Sequence, residues 1–327
     1  MSDFAISYVV TTYNKLPYLR QVLGRLVAAR LADEEIVVAD GGSTDGTPEY
    51  LRELFEAGQI QQFVSERDKG ESHGFNKCML MAKGGIIKLI TDDDAFCYSA
   101  IREAAGFMQK HPEVDVMMGY TGLLALEDPR YLTLYEDVAE NFKRWLNHKE
   151  AVWMIGLPML IRRSALALTG LFNTGVVQVD TEFTYRITSL NVSLAWSSQV
   201  LSVRIENPQS NFRVMGRKTS QDEADRMRYF YDKRIGHSFA DYVRHKSGWV
   251  ATLKKPIRPI KRALFDVLKV SQYQGHAQLE TGYTPMADET PLDAAFRVAD
   301  EFMDRYNAEH PAEFLYKSQT LTKALGQ

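Results

Sequence analysis

Residues 86–94 read Ile86-Ile87-Lys88-Leu89-Ile90-Thr91-Asp92-Asp93-Asp94, an apolar run that stops at three consecutive acids. A short apolar stretch rich in β-branched residues reads as a buried strand, and this one delivers a polar cluster at its carboxyl end. A helical pattern opens after it, at Ser99. Towards the N-terminus the same alternation recurs. Ala5 to Val10 is a strand candidate, and Leu16, Leu19, Leu23, Leu26 and Val27 then return at helical spacing. Ile36 to Ala39 is a second strand, followed by a turn from Asp40 to Gly46 and a helix start at Thr47-Pro48, an N-cap with a first-turn proline. A third strand spans about 61–65, and a helix runs from about Ser72 to Ala82. Strands alternating with helices predict an α/β fold with a mostly parallel sheet flanked by helices on both faces. Ligands of such sheets bind beyond the carboxyl ends of the strands, where Asp40, Asp68 and Asp92 to Asp94 fall.

Adjacent carboxylates repel, so a folded chain gathers them where a cation offsets their charge. A hard cation, Mg²⁺ or Mn²⁺, suits oxygen ligands. The competing reading is a solvated acidic turn capping the next helix. The Asp40-Gly41-Gly42-Ser43 turn has neither the G-x-G-x-x-G of a dinucleotide site nor the G-K-[ST] of a P-loop. Further along, Val114 to Tyr120 reads as a strand, and 131–149 as a lid or connecting helices. Leu157 to Ile161 is apolar again, and Ser164 begins a short helix closed at Gly170. After about residue 217 the strand signals fade.

In order and spacing, Val9-Val10-Thr11-Thr12-Tyr13-Asn14-Lys15, the Asp40 to Thr47 segment, Ser65 to Gly70 with Asn76, and Asp92 to Asp94 closely resemble family 2 glycosyltransferases. Leu157 to Ser164 and Gly170-Leu171-Phe172-Asn173 resemble that family's acceptor-side strand and turn, and the likeness covers roughly residues 5–213. It implies a GT-A fold, with a catalytic domain over 1–216 (nucleotide half about 1–120, acceptor half about 121–216) and a helical C-terminal extension over 217–327. It also implies inverting transfer of a sugar from a nucleotide-diphosphate donor to a saccharide or lipid-linked acceptor hydroxyl, in polysaccharide or glycolipid assembly. Carried over, Thr11, Tyr13, Asp40, Asp68 and Asp92 bind the nucleotide sugar. Asp93 and Asp94 hold the divalent metal, Mn²⁺ or Mg²⁺, and Asp180 is the general base, with Glu182 its nearest competitor. Two departures stand out. Thr91 replaces an acid often found there, and Arg204-Ile205-Glu206 stands where the family often has Arg-x-His. Rival readings are a sugar nucleotidyltransferase, which would want a basic glycine-rich loop after the first strand, and a donor-binding protein without turnover.

The 327 residues carry a net charge of only −3, which supplies no general attraction for nucleic acid. Cys78 and Cys97 lack zinc or disulfide spacing and read as buried thiols of a reducing compartment. With no secretory pattern at Met1 and no run of about 18 uncharged apolar residues, a cytoplasmic protein is expected. The histidines show no paired metal spacing, and His73, at the start of a helix after Asp68, is the one placed to reach a phosphate. Basic and apolar residues interleave over 254–270, a pattern that suits either peripheral contact with an anionic membrane or a solvated helix.

Overall fold

The computed structural model describes residues 4–190, 192–206, 217–231 and 276–317. Four parallel strands form the N-terminal half: β1 (Phe4–Thr12), β2 (Glu34–Asp40), β3 (Gln62–Ser65) and β4 (Gly84–Ile90), in the order β4-β1-β2-β3. Their register pairs Thr12 with Asp40, Asp40 with Ser65, and Val10 with Ile90. Every polar strand end therefore arrives at the same edge of the sheet. Strands β1, β2 and β4 are buried on both faces, which is why they read as apolar runs. Between them run α1 (Leu16–Ala29), α2 (Thr47–Glu56) and α3 (Glu71–Met81).

The other half is largely antiparallel. After β5 (Ala95–Phe96) and α4 (Tyr98–Lys110) come β6 (Val116–Leu124), β7 (Tyr131–Tyr135), α5 (Glu136–His148) and β8 (Leu160–Arg162). Strand β8 lies between β4 and β6, antiparallel to both, and joins the two halves into one sheet. The short α6 (Leu166–Thr169) and α7 (Val179–Ser189) lead to β9 (Leu194–Ile205), which runs parallel to β6. One apolar layer packs Leu19 and Leu23 of α1 with Ile101 of α4, and the opposite layer packs Phe75 of α3 with Phe142 of α5 and Phe183 of α7. The expected sheet flanked by helices is present, with 131–149 resolved into β7 and α5.

The chain beyond 217 departs from the expected helical extension. Helix α8 (Arg217–Tyr231) is followed, past the undescribed stretch, by β10 (His276–Glu280), α9 (Pro291–Glu309) and β11 (Phe314–Leu315). Strand β10 extends the sheet at β7, and β11 pairs with β9. Helix α9 starts at a capping box between Thr290 and Asp293 with Pro291 in its first turn, and buries Phe296, Phe302 and Met303 in the same apolar layer as Leu19. Its outer contacts are specific: Asp300 accepts from Arg25 at 2.7 Å, and Asp293 from Gln21 at 2.6 Å. Residues 276–317 are thus part of the same sheet and apolar core as the N-terminal residues. The basic stretch 254–270 lies outside the described residues.

Candidate functional site

At the carboxyl ends of β1, β2 and β3 the turn after Asp40 is built on Asp40 itself. Its fully buried carboxylate accepts from the Ser43 amide and hydroxyl and from the Ser65 hydroxyl at 2.6 Å. In this arrangement Asp40 braces the turn from behind and presents no surface of its own. Asp68 lies across the backbone of Gly41 and accepts from the Gly70 amide at 2.8 Å. Thr11 sits under α3, where a side-chain carbon on Gly74 would strike its hydroxyl, so the helix approaches β1 only because residue 74 is glycine. Tyr13 is 60% exposed, an open aromatic at the lip of this group. His73 is engaged locally, its Nδ1 accepting the Lys69 amide at 3.2 Å.

The three acids after β4 divide. Asp92 and Asp93 share one cation, the Lys15 ammonium, at 3.0 and 2.7 Å. Burial works against the charge on Lys15, yet the two carboxylates more than offset it and hold its proton beyond lysine's ordinary range. Burial and the neighbouring Asp93 push the Asp92 carboxyl up, and Lys15 opposes the rise. Asp94 turns the other way, accepting from the Thr91 hydroxyl at 2.7 Å and the Ile205 amide at 2.9 Å, so it ties β4 to β9. The two acids expected to hold a metal thus have different partners here, Asp93 meeting Lys15 and Asp94 meeting Thr91 and Ile205. Two buried hard-oxygen donors, Asp92 and Asp93, already collect a cation, and Mg²⁺ or Mn²⁺ characteristically takes one or two carboxylates with water and phosphate completing its sphere. The chemistry of this pair fits a divalent ion. Among the described residues no three acid, histidine or cysteine side chains converge into a preformed cage.

Beside the acids opens a cavity of about 490 Å³. Its polar lining includes Glu71, Thr91, Asp94, Asp180 and Arg204, and Phe75, Trp153 and Phe172 supply apolar wall. Asp180 lies in the first turn of α7, where helix amide groups favour an anion. Its carboxylate accepts from the Thr181 amide at 2.7 Å and the Gly156 amide at 3.1 Å. That second bond depends on close approach, since a Cβ on Gly156 would lie 2.6 Å from Cβ of Asp180. Burial raises the Asp180 pKa against the pull of these amides. Glu182 is spent elsewhere: it is paired with Arg186 at 2.9 Å and accepts from Tyr231 of α8 at 2.8 Å. Of the two candidate bases, Asp180 is the one that lines the cavity. Asn76 of α3 exchanges two hydrogen bonds with the Phe172 backbone, 2.9 and 2.8 Å, clamping the Gly170 to Asn173 turn against α3. Glu223 of α8 accepts from the Val177 and Gln178 amides and fixes the loop that enters α7.

Three of these residues escaped the sequence reading. Lys15 is quoted within a motif but carried no role there, and Gly156 has no signal short of the fold. Glu71 is an acid in the first turn of a helix, a position that the helix dipole explains without any site.

A parallel block with acids along its carboxyl edge, joined through an antiparallel strand to a half that brings a further acid over a shared cavity, is the GT-A arrangement. The mannosyltransferase of Pyrobaculum calidifontis, solved with GDP-Man and Mn²⁺, has the same fold at 17% identity and a TM-score of 0.52, over 95% of this chain and 90% of that one. The sequence model of glycosyl transferase family 2 matches residues 7–168. An uncharacterized glycosyltransferase of a Nostoc species is 26% identical over 113 residues, 34% of this chain and 35% of its own length. The putative glycosyltransferase EpsH of Bacillus subtilis is 27% identical over 108 residues, 32% of this chain and 31% of its own. The matched segments thus span about a third of these relatives. Residues 7–168 thus form a glycosyl transferase family 2 domain.

Proposed function

We propose that this chain transfers a glycosyl group from a nucleoside-diphosphate sugar to a hydroxyl of a saccharide or lipid-linked acceptor, with inversion at the anomeric carbon, in polysaccharide or glycolipid assembly. The observation that carries the reading is one cavity whose wall includes Asp180 on the acceptor side and Asp94, next to the Asp92–Asp93 pair, on the donor side. Inversion requires a base and a leaving group on opposite sides of the sugar, and this placement supports such a displacement.

In this reading Thr11, Tyr13, Asp40 and Asp68 form the nucleoside end, and Asp92 faces the ribose. Asp93, with Asp92, would hold a divalent ion, which when bound supplies positive charge against the diphosphate. The GDP-Man and Mn²⁺ of the archaeal mannosyltransferase support that assignment. Lys15 contributes a fixed positive charge at the same place. Asp180 takes the acceptor's proton. Its raised pKa makes it a stronger base than a free aspartate, and the Thr181 and Gly156 amides hold it in one orientation. No helix among the described residues is long and apolar enough to cross a membrane. A cytoplasmic location, with contact to an anionic surface through 254–270, belongs to the same proposal and rests on the interleaved basic and apolar residues of that stretch.

Thermal-shift titration with nucleoside diphosphates and nucleotide sugars, with Mn²⁺, Mg²⁺ or chelator, tests the donor reading. Ligand at 100 times its Kd stabilises by about 2.7 kcal/mol, a shift large enough to rank bases. One nucleotide series should raise the Tm, and more with divalent ion than with chelator. No shift with any nucleotide contradicts the donor reading, and equal shifts in chelator remove the metal from it.

A further inference from the structure

Glu71, the first residue of α3, follows Gly70 and lines the cavity together with Asp180 and Asp94. No hydrogen bond or ion pair engages its carboxyl among the described residues. Its charged surroundings are mostly of its own sign: Asp92, Asp93 and Asp180 raise its pKa, and Lys15 opposes them. Burial is the largest cause of the rise, which brings the group to about 7. Every other acid of the site has donors. Asp92 and Asp93 have Lys15, Asp94 has Thr91 and Ile205, and Asp180 has Gly156 and Thr181. A carboxyl that faces a cavity without a protein partner is completed by whatever enters the cavity.

The entering group must lie between the donor-side acids and the base, which in the transferase reading is the sugar being moved. Sugar hydroxyls suit such a carboxyl in either protonation state, since the ionised form accepts and the neutral form also donates. A second carboxylate does not suit it. Three carboxyl groups line the cavity, and the charge of Arg204, which lines it too, already acts on Asp94 and Asp180, where it opposes the rise in pKa. We propose that Glu71 receives a hydroxyl of the transferred sugar and, with Asp180 and Asp94 on the same wall, restricts the donor to neutral glycosyl groups, excluding uronates. The inference rests on the transferase reading and deepens it by naming the donor class.

Calorimetry on the full chain tests it with UDP, GDP and dTDP, their neutral hexose conjugates, and the matched uronates UDP-glucuronate, GDP-mannuronate and dTDP-glucuronate, using the nucleotide that binds. Wild type should bind the neutral conjugate at least about tenfold more tightly than the uronate, the order of one charge-assisted hydrogen bond. Glu71→Ala should lose about tenfold for the neutral conjugate while keeping its affinity for the bare nucleoside diphosphate, which also certifies the fold. Glu71→Gln, which keeps a hydrogen-bonding side chain without charge, should narrow the gap between neutral sugar and uronate by about tenfold. Equal wild-type affinity for the two conjugates, an unchanged gap in Glu71→Gln, or equal losses for nucleotide and nucleotide sugar in Glu71→Ala overturns the inference alone. Failure of every nucleoside diphosphate to bind overturns the transferase reading and this inference with it.

Discussion

Asp180 and Glu182 stand two residues apart on one helix, and their surroundings separate their uses. The Glu182 carboxylate is bound to Arg186 and to the Tyr231 hydroxyl, so its lone pairs are engaged within the protein. Asp180 has amide donors, no ion-pair partner of comparable closeness, and a pKa raised by burial. A base works in its ionised form, so activity is present above its pKa and is lost as pH falls through it. The acid limb of kcat/KM should therefore lie above the value of about 3.9 for a free aspartate. A pH profile with its limb in the ordinary aspartate range would contradict this account of Asp180. Asp180 could be singled out in the sequence because it follows the Gly170-Leu171-Phe172-Asn173 turn, where the family resemblance implies an acid. Glu71 could not, because its role depends on which side chains fail to reach it.

At the scale of elements, the parallel half was readable because β1, β2 and β4 are buried on both faces and each is followed by a polar turn. The antiparallel half was harder: β8 has three residues and β5 and β11 two each, too few for any periodicity. Strand β10 is half-exposed, with Gln278 and Glu280 turned to solvent, so it lacks the apolar pattern of a buried strand. Its attachment to β7 shows only once the sheet is formed. The consequence is energetic. Burying a side chain such as Phe296, Phe302 or Met303 contributes about 1.5–3 kcal/mol, and three of them approach the 5–15 kcal/mol that holds a whole domain together. A chain ended after residue 275 should fail to fold cooperatively in urea or heat. A separable extension predicts the opposite, an unchanged unfolding transition for the truncated chain.

In the whole molecule, one sheet brings two sets of acids to a single cavity from distant parts of the sequence. Strand β8 bridges the halves, Asp94 ties β4 to β9, and Asn76 locks the Phe172 turn onto α3. These connections hold Asp180 near the donor-side acids without a hinge of its own, so the base should act on a bound donor and contribute little to binding it. The direct test is single-turnover consumption of bound nucleotide sugar, by acceptor or by water, in wild type and in Asp180→Asn, with donor affinity measured on the same preparations. The account predicts donor affinity within a few-fold of wild type and turnover lower by about 10²–10⁴-fold, the usual contribution of a positioned base. Turnover near the wild-type rate in Asp180→Asn, with donor bound, would contradict it.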